Sequence, residues 1–128
     1  MPNIIVEQEM SEMDFLLILH VKELREDIGI TQVELSQKVG LASGFVGKVE
    51  MFGNSAKYNI RHLPLIAKAL GFKNVGEVLP KGIATKDLVR VVLEKVPLVK
   101  KNGELSKNKF EYKMLEVVAV ETKNQNQK

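Results

Sequence analysis

The sequence predicts a mainly α fold. Five helices are expected over residues 13–80 and a β-hairpin appendage over 81–121, flanked by an N-terminal arm at 1–12 and a disordered tail at 122–128. Three observations lead there. Capping boxes at Ser11 and Thr31 mark helix starts. Glycines at 29, 40 and 71 each close a run whose apolar residues recur at helical spacing. Beyond Gly82 the spacing gives way to β-branched runs and strict alternation.

Ser11-Glu12-Met13-Asp14 supplies the first N-cap, and in MDFLLILHVKELREDIG the residues Phe15, Ile18, Val21, Leu24 and Ile28 share one helical face. Thr31-Gln32-Val33-Glu34 opens a second helix. There the threonine hydroxyl accepts from the glutamate amide and the carboxylate reaches back to the threonine amide. Leu35 and Val39 face inward, Gly40 ends the helix in a left-handed conformation, and Leu41 follows as an apolar plug. A third helix is expected at 43–51, seated by Val46 and Val49, with Phe45 as partial core. Asn54 to Lys57 read as a polar loop. NIRHLPLIAKALG reads as a fourth helix with Leu63, Ile66, Ala67 and Leu70 inward and Pro64 in the first turn, where its missing N–H does least harm. Asn74-Val75-Gly76-Glu77 predicts a short fifth helix closed by Pro80.

In the C-terminal third, LVRVVLEKVPLV and FEYKMLEVVAVE read as strands. The second begins with Phe110, Tyr112 and Met114 alternating against Glu111 and Lys113. Between them KKNGELSKN holds the turn dipeptide Asn102-Gly103. The first segment also places Leu88, Val91, Val92 and Val96 on one helical face, so a helix is its alternative. Ile4, Ile5 and Val6 are candidates for an added strand, and the polar KNQNQK belongs to the disordered tail.

Composition narrows the function. The chain has 128 residues, 45% of them hydrophobic, enough for one core with an addition. It has no cysteine, which removes disulfides and thiolate metal sites. No run approaches the roughly 20 apolar residues of a membrane span, and no basic region precedes the apolar residues of the first segment. The expectation is a cytoplasmic protein without membrane contact. His20 and His62 are the only histidines and no acidic cluster accompanies them, so neither a metal nor another cofactor is expected. GxSxG, GxxxxGK[ST] and GxGxxG are all missing, so an enzyme is not expected.

Charge is unevenly spread. Residues 13–80 carry eight bases and seven acids, whereas 81–128 carry eleven bases and six acids. Within 35–70, Lys38, Lys48, Lys57, Arg61 and Lys68 face Glu50 alone. That is a local basic patch of the kind phosphate binding needs, though solvated lysines would give the same count.

Two short helices joined at Gly40-Leu41, with a long helix before and further helices after, have helix-turn-helix spacing. Residues 24–79 resemble the lambda repressor/Cro-type (XRE) helix-turn-helix domain. The likeness rests on Leu24-Arg25, the Ile30-Thr31-Gln32 entry, Leu35, Gly40-Leu41, Val46-Val49-Glu50 and Leu63-Ile66-Ala67-Leu70-Gly71. With the rest of the first helix, it covers about half the chain and does not reach the C-terminal segment.

The resemblance implies a structural tie between Arg25 and Glu50, a phosphate contact at Gln32, and an outward face of Ser43, Gly44, Gly47 and Lys48 in the major groove. It also implies that the loop carrying Lys57 and Arg61 follows the DNA backbone. Physical chemistry agrees in part. Helix N-termini attract anions, lysine donates to guanine or phosphate, and loop amides near Tyr58 and Asn59 add phosphate contacts. Two features depart from the family pattern. Gly44 and Gly47 bring no side chain and weaken a helix by about 1 kcal/mol each relative to alanine, and Ala42 stands where a Ser or Thr cap is usual. His62 reads as a helix-start residue.

The expected function is a DNA-binding transcriptional regulator on double-stranded DNA, acting as a homodimer through the C-terminal segment. One head buries too little surface for tight specific binding. The alternative is a protein-interaction module, or an antitoxin-like protein holding a protein partner, that keeps the helix-turn-helix fold.

Overall fold

The computed structural model describes residues 4–82 and 84–121; the tail expected at 122–128 lies outside the described residues. Among the described residues it has four α-helices, one 3-10 turn and three strands: β1 (Ile4–Ser11), α1 (Glu12–Ile28), α2 (Gln32–Lys38), α3 (Phe45–Met51), α4 (His62–Ala69), the turn Val75–Glu77, β2 (Leu88–Val99) and β3 (Leu105–Ala119). This corrects the expected five-helix, mainly α fold to a mixed α and β architecture.

The correction has two physical sources. The expected fifth helix is a single turn. Asn74 makes no side-chain cap bond, and Gly76 and Pro80 leave no length over which helical hydrogen bonds accumulate. At the other end, residues 4–11 form a full strand. β1 runs antiparallel to β2 with Val6 opposite Leu93, Gln8 opposite Val91 and Met10 opposite Val89. β2 pairs with β3 on its other side, giving an antiparallel sheet of order β1-β2-β3.

The helical alternative for β2 loses because its burial has period two. Val89, Val91 and Leu93 are at most 1% exposed. They join the same core as Ile18, Val21, Leu35, Val46, Val49, Ile66 and Val78. The sheet is therefore a second layer over the helices. Each such side chain contributes about 1.5–3 kcal/mol of burial, which is strong reason for the sheet not to detach.

Local signals set the helix ends. Ser11, the last residue of β1, caps α1 by accepting from the Asp14 amide at 2.9 Å, and Gly29 closes the helix at φ 88°. Thr31 and Glu34 exchange both bonds of a capping box. The donation from the Thr31 amide holds the Glu34 carboxyl below its ordinary pKa.

The turn after α3 fastens helices to sheet. Phe52 sits at φ 61°, a strained conformation for a non-glycine residue, with its ring buried 5.7 Å from Phe15. Gly53 follows at φ 76°, and a β-carbon there would stand 2.9 Å from the ring of Tyr112 on β3. From β1, Gln8 accepts from the Gly53 amide at 2.8 Å and donates to the Asn54 carbonyl at 2.6 Å. Both outer strands thus hold the end of α3.

Candidate nucleic-acid interface

The site begins with a buried ion pair. Arg25 of α1 donates from Nε to Glu50 Oε2 at 2.9 Å and from Nη2 to Oε1 at 2.8 Å, and its Nη1 donates to the Ile30 carbonyl at 2.8 Å. Both side chains are almost fully enclosed. The tie implied for Arg25 and Glu50 is therefore present, in the bidentate geometry that satisfies most of the guanidinium donors. The hydrogen bond with Glu50 raises the pKa of Arg25 above its ordinary value.

Gln32 opens α2 beside this pair. Its Nε2 donates to Glu50 Oε1 at 2.8 Å, and its Oε1 lies 3.2 Å from where a β-carbon on Gly47 would stand. The residue expected to meet phosphate thus has one donor engaged inside the protein, and its amide oxygen lies against the flank of α3.

α3 starts two residues later than the expected 43–51. Ser43 and Gly44 belong to the preceding turn, and Gly44, the N-cap, offers no side chain to the helix amides. The cap comes from another helix. Ser36 of α2, fully buried, accepts from the Val46 amide at 3.0 Å while donating to the Gln32 carbonyl at 2.9 Å. Its backbone carbonyl also accepts from the Leu41 amide at 2.9 Å. One small hydroxyl therefore ties the start of α3 to α2. Sequence reasoning missed Ser36, because nothing in LSQKVG separates it from any helix serine.

Ser43, Gly44 and Lys48 are exposed, and Gly47 is half-buried under Gln32. Phe45 is half-buried. Its ring packs 6.0 Å from Tyr58 and edge-on to His62 at 5.3 Å, so it serves the core and seats α3 on the loop before α4.

That loop carries the remaining expected residues. Lys57 lies 3.6 Å from the half-buried Asp14, and its exposed cation stays accessible. Arg61 is exposed at the N-cap of α4. Lys57 and Arg61 rim an apolar depression floored by Met13, Leu17, Leu63 and Leu79, and Ile60 beside them is 85% exposed. The structure thus brings Gln32 against Gly47, with Glu50 holding the other end of its amide, on one side, and Lys57 and Arg61 around the depression on the other. Phe45 bridges from α3 to Tyr58 and His62 in the second region.

His62 is buried at the start of α4, and its Nδ1 accepts from the Asn59 amide at 3.2 Å. Burial, and then the charge of Arg61, hold its pKa below the ordinary imidazole value. The Tyr58 hydroxyl is buried without a hydrogen-bond partner among the described residues, and burial raises its pKa far above the usual phenol range.

Comparison with protein-family models, with curated proteins and with solved structures finds no match to this chain. No helix among the described residues is long and apolar enough to cross a membrane.

Proposed function

We propose that the chain is a cytoplasmic, non-enzymatic, DNA-binding transcriptional regulator that lays α3 in the major groove of double-stranded DNA. The observation that carries this reading is the build of α2 and α3. α3 is seated from behind by Ser36 at its start, by the tie from Arg25 to its own Glu50 at its end, and by its own buried Val46 and Val49 between. Its other side is left open at Lys48, and Ser43 and Gly44 in the turn that leads into it are exposed as well. A helix fixed at both ends with a slim outward face suits close approach to base edges.

The resemblance of residues 24–79 to the XRE-type helix-turn-helix supports the same reading. Lys48 is the donor for guanine or phosphate, and Lys57, Arg61 and the free side of the Gln32 amide are the backbone contacts. With so few base-reading side chains, phosphate contacts dominate affinity and intrinsic specificity is modest.

Selection from random duplexes, followed by salt titration of the winners, tests the proposal. The expected result is an enriched motif whose binding weakens steeply as salt rises. A pool that enriches nothing, together with binding insensitive to salt, overturns it. Within an enriched motif, Lys48→Ala is expected to relax preference at one position by about 1–3 kcal/mol.

A further inference from the structure

Among the described residues, β3 leaves one edge of the sheet open. It pairs there with β2 on one side only, and every residue from Lys113 to Ala119 is exposed. Met114, Leu115, Val117 and Val118 lie in that stretch with 38–51% of their surface in solvent. Unpaired strand edges with apolar flanks recruit another strand unless something blunts them.

β3 is blunted in two places. A bulge leaves Leu115 without a partner, because Val92 faces Glu116 while Leu93 faces Met114. Further along, the ladder skips between Pro97 opposite Phe110 and Val99 opposite Leu105. The Ser106 hydroxyl accepts there from the amides of Asn108 and Lys109. Between these irregularities one stretch runs in unbroken register: Phe110, Glu111, Tyr112, Lys113 and Met114.

That stretch is self-complementary when reversed. It reads apolar, acid, tyrosine, base, apolar. An antiparallel second copy centred on Tyr112 sets Phe110 against Met114 and Glu111 against Lys113, once on each side of the axis. Moving the centre to Glu111 sets acid against acid and Lys109 against Lys113. Moving it to Lys113 sets base against base. Opposite charges directly across a strand pair attract and like charges repel, so one register is favoured over both neighbours.

We infer that two copies of this chain associate by antiparallel pairing of their β3 edges about a two-fold axis at Tyr112, joining two three-stranded sheets into one. This commits the homodimer expected for the C-terminal segment to one surface and one register. It does not rest on DNA binding, and its test contains no DNA.

Sedimentation equilibrium from micromolar to submillimolar concentration reads the association. The wild-type chain is expected to dimerise. Glu111→Lys and Lys113→Glu each place like charges across the axis and are expected to weaken the dimer tenfold or more. The combined swap Glu111→Lys/Lys113→Glu restores opposite pairs and is expected to regain most of the affinity. Both positions are exposed, and thermal melting by circular dichroism confirms that each variant folds.

Because the chain has no cysteine, Tyr112→Cys gives a second readout. Residues meeting at the axis stand about 4.5–5.5 Å apart, within reach of a disulfide. Val117→Cys places its thiols about ten residues apart along the paired strands, roughly 33 Å, and is expected to stay unlinked. A monomeric wild type, single reversals that leave the dimer intact, a double swap that fails to restore it, or cross-linking at 117 instead of 112 each overturns the inference.

Discussion

The side-chain amide of Gln32 lies across the open flank of Gly47, its Oε1 3.2 Å from the position of a β-carbon, while its Nε2 is held by Glu50 at 2.8 Å. The glycine that leaves α3 bare is the one that admits a side chain from α2. Gly47→Ala should therefore have two opposed effects: a gain of about 1 kcal/mol in helix propensity and the displacement of a tethered amide. Alone it is expected to change stability little. In a Gln32→Ala background it is expected to stabilise by about 1 kcal/mol. A double-mutant cycle by urea unfolding checks this, and additive effects would refute the contact.

The Arg25–Glu50 pair is almost fully enclosed. Removing one partner leaves a buried charge, so Arg25→Met is expected to cost about 3–5 kcal/mol. Replacing both, as Arg25→Met/Glu50→Leu, is expected to recover most of that loss in the same unfolding measurement. If the double variant is no better than the single, the penalty is not one of uncompensated charge.

His62 predicts an acid-sensitive fold. Its native pKa lies below its ordinary value of 6.5 because burial disfavours the charged ring. Above pH 6.5 the ring is neutral in both states and its contribution is fully present. As pH falls below 6.5 the unfolded chain binds the proton first, and stability declines until the lower native pKa is reached. His62→Gln is expected to flatten the part of the stability profile that lies below the ordinary imidazole value. An unchanged slope in the variant would assign the acid sensitivity elsewhere.

Two glycines in the left-handed region separate backbone strain from crowding. Gly40 and Gly53 share a φ of 76°, but a β-carbon at Gly40 meets nothing within 4 Å while one at Gly53 meets the Tyr112 ring. Gly40→Ala is expected to cost about 1–2 kcal/mol from backbone conformation alone. Gly53→Ala is expected to cost measurably more by thermal melting, and Gly53→Ala/Tyr112→Ala should narrow the difference.

These comparisons show what was legible in the sequence. Helix ends that depend on near neighbours were readable: the Thr31–Glu34 box, the Ser11 cap, and the turns at Gly29 and Gly40. The Arg25–Glu50 tie was also readable, through resemblance. Features that depend on distant partners were not. Ser36 caps a helix other than its own, ten residues ahead. Gln32 turns inward because Gly47 makes room. Residues 4–11 were legible in part: Ile4, Ile5 and Val6 were read as a strand added to the C-terminal segment and do pair with β2, but the strand's continuation to Ser11 depends on an edge some eighty residues further on. The fifth helix failed for a local reason that was already visible, since Gly76 and Pro80 bracket too few residues.

Gln8 grips the Gly53–Asn54 turn with both ends of its amide, and Tyr112 presses on the same turn from β3. Through that turn α3 is coupled directly to both outer strands. If two copies join along β3, the distance and angle between their α3 helices are set in advance, as the jaws of a fixed caliper are. Were α3 to enter the major groove as proposed, such a pair would gauge the separation of two half-sites, and inserting a few base pairs between them should weaken binding even with every base unchanged.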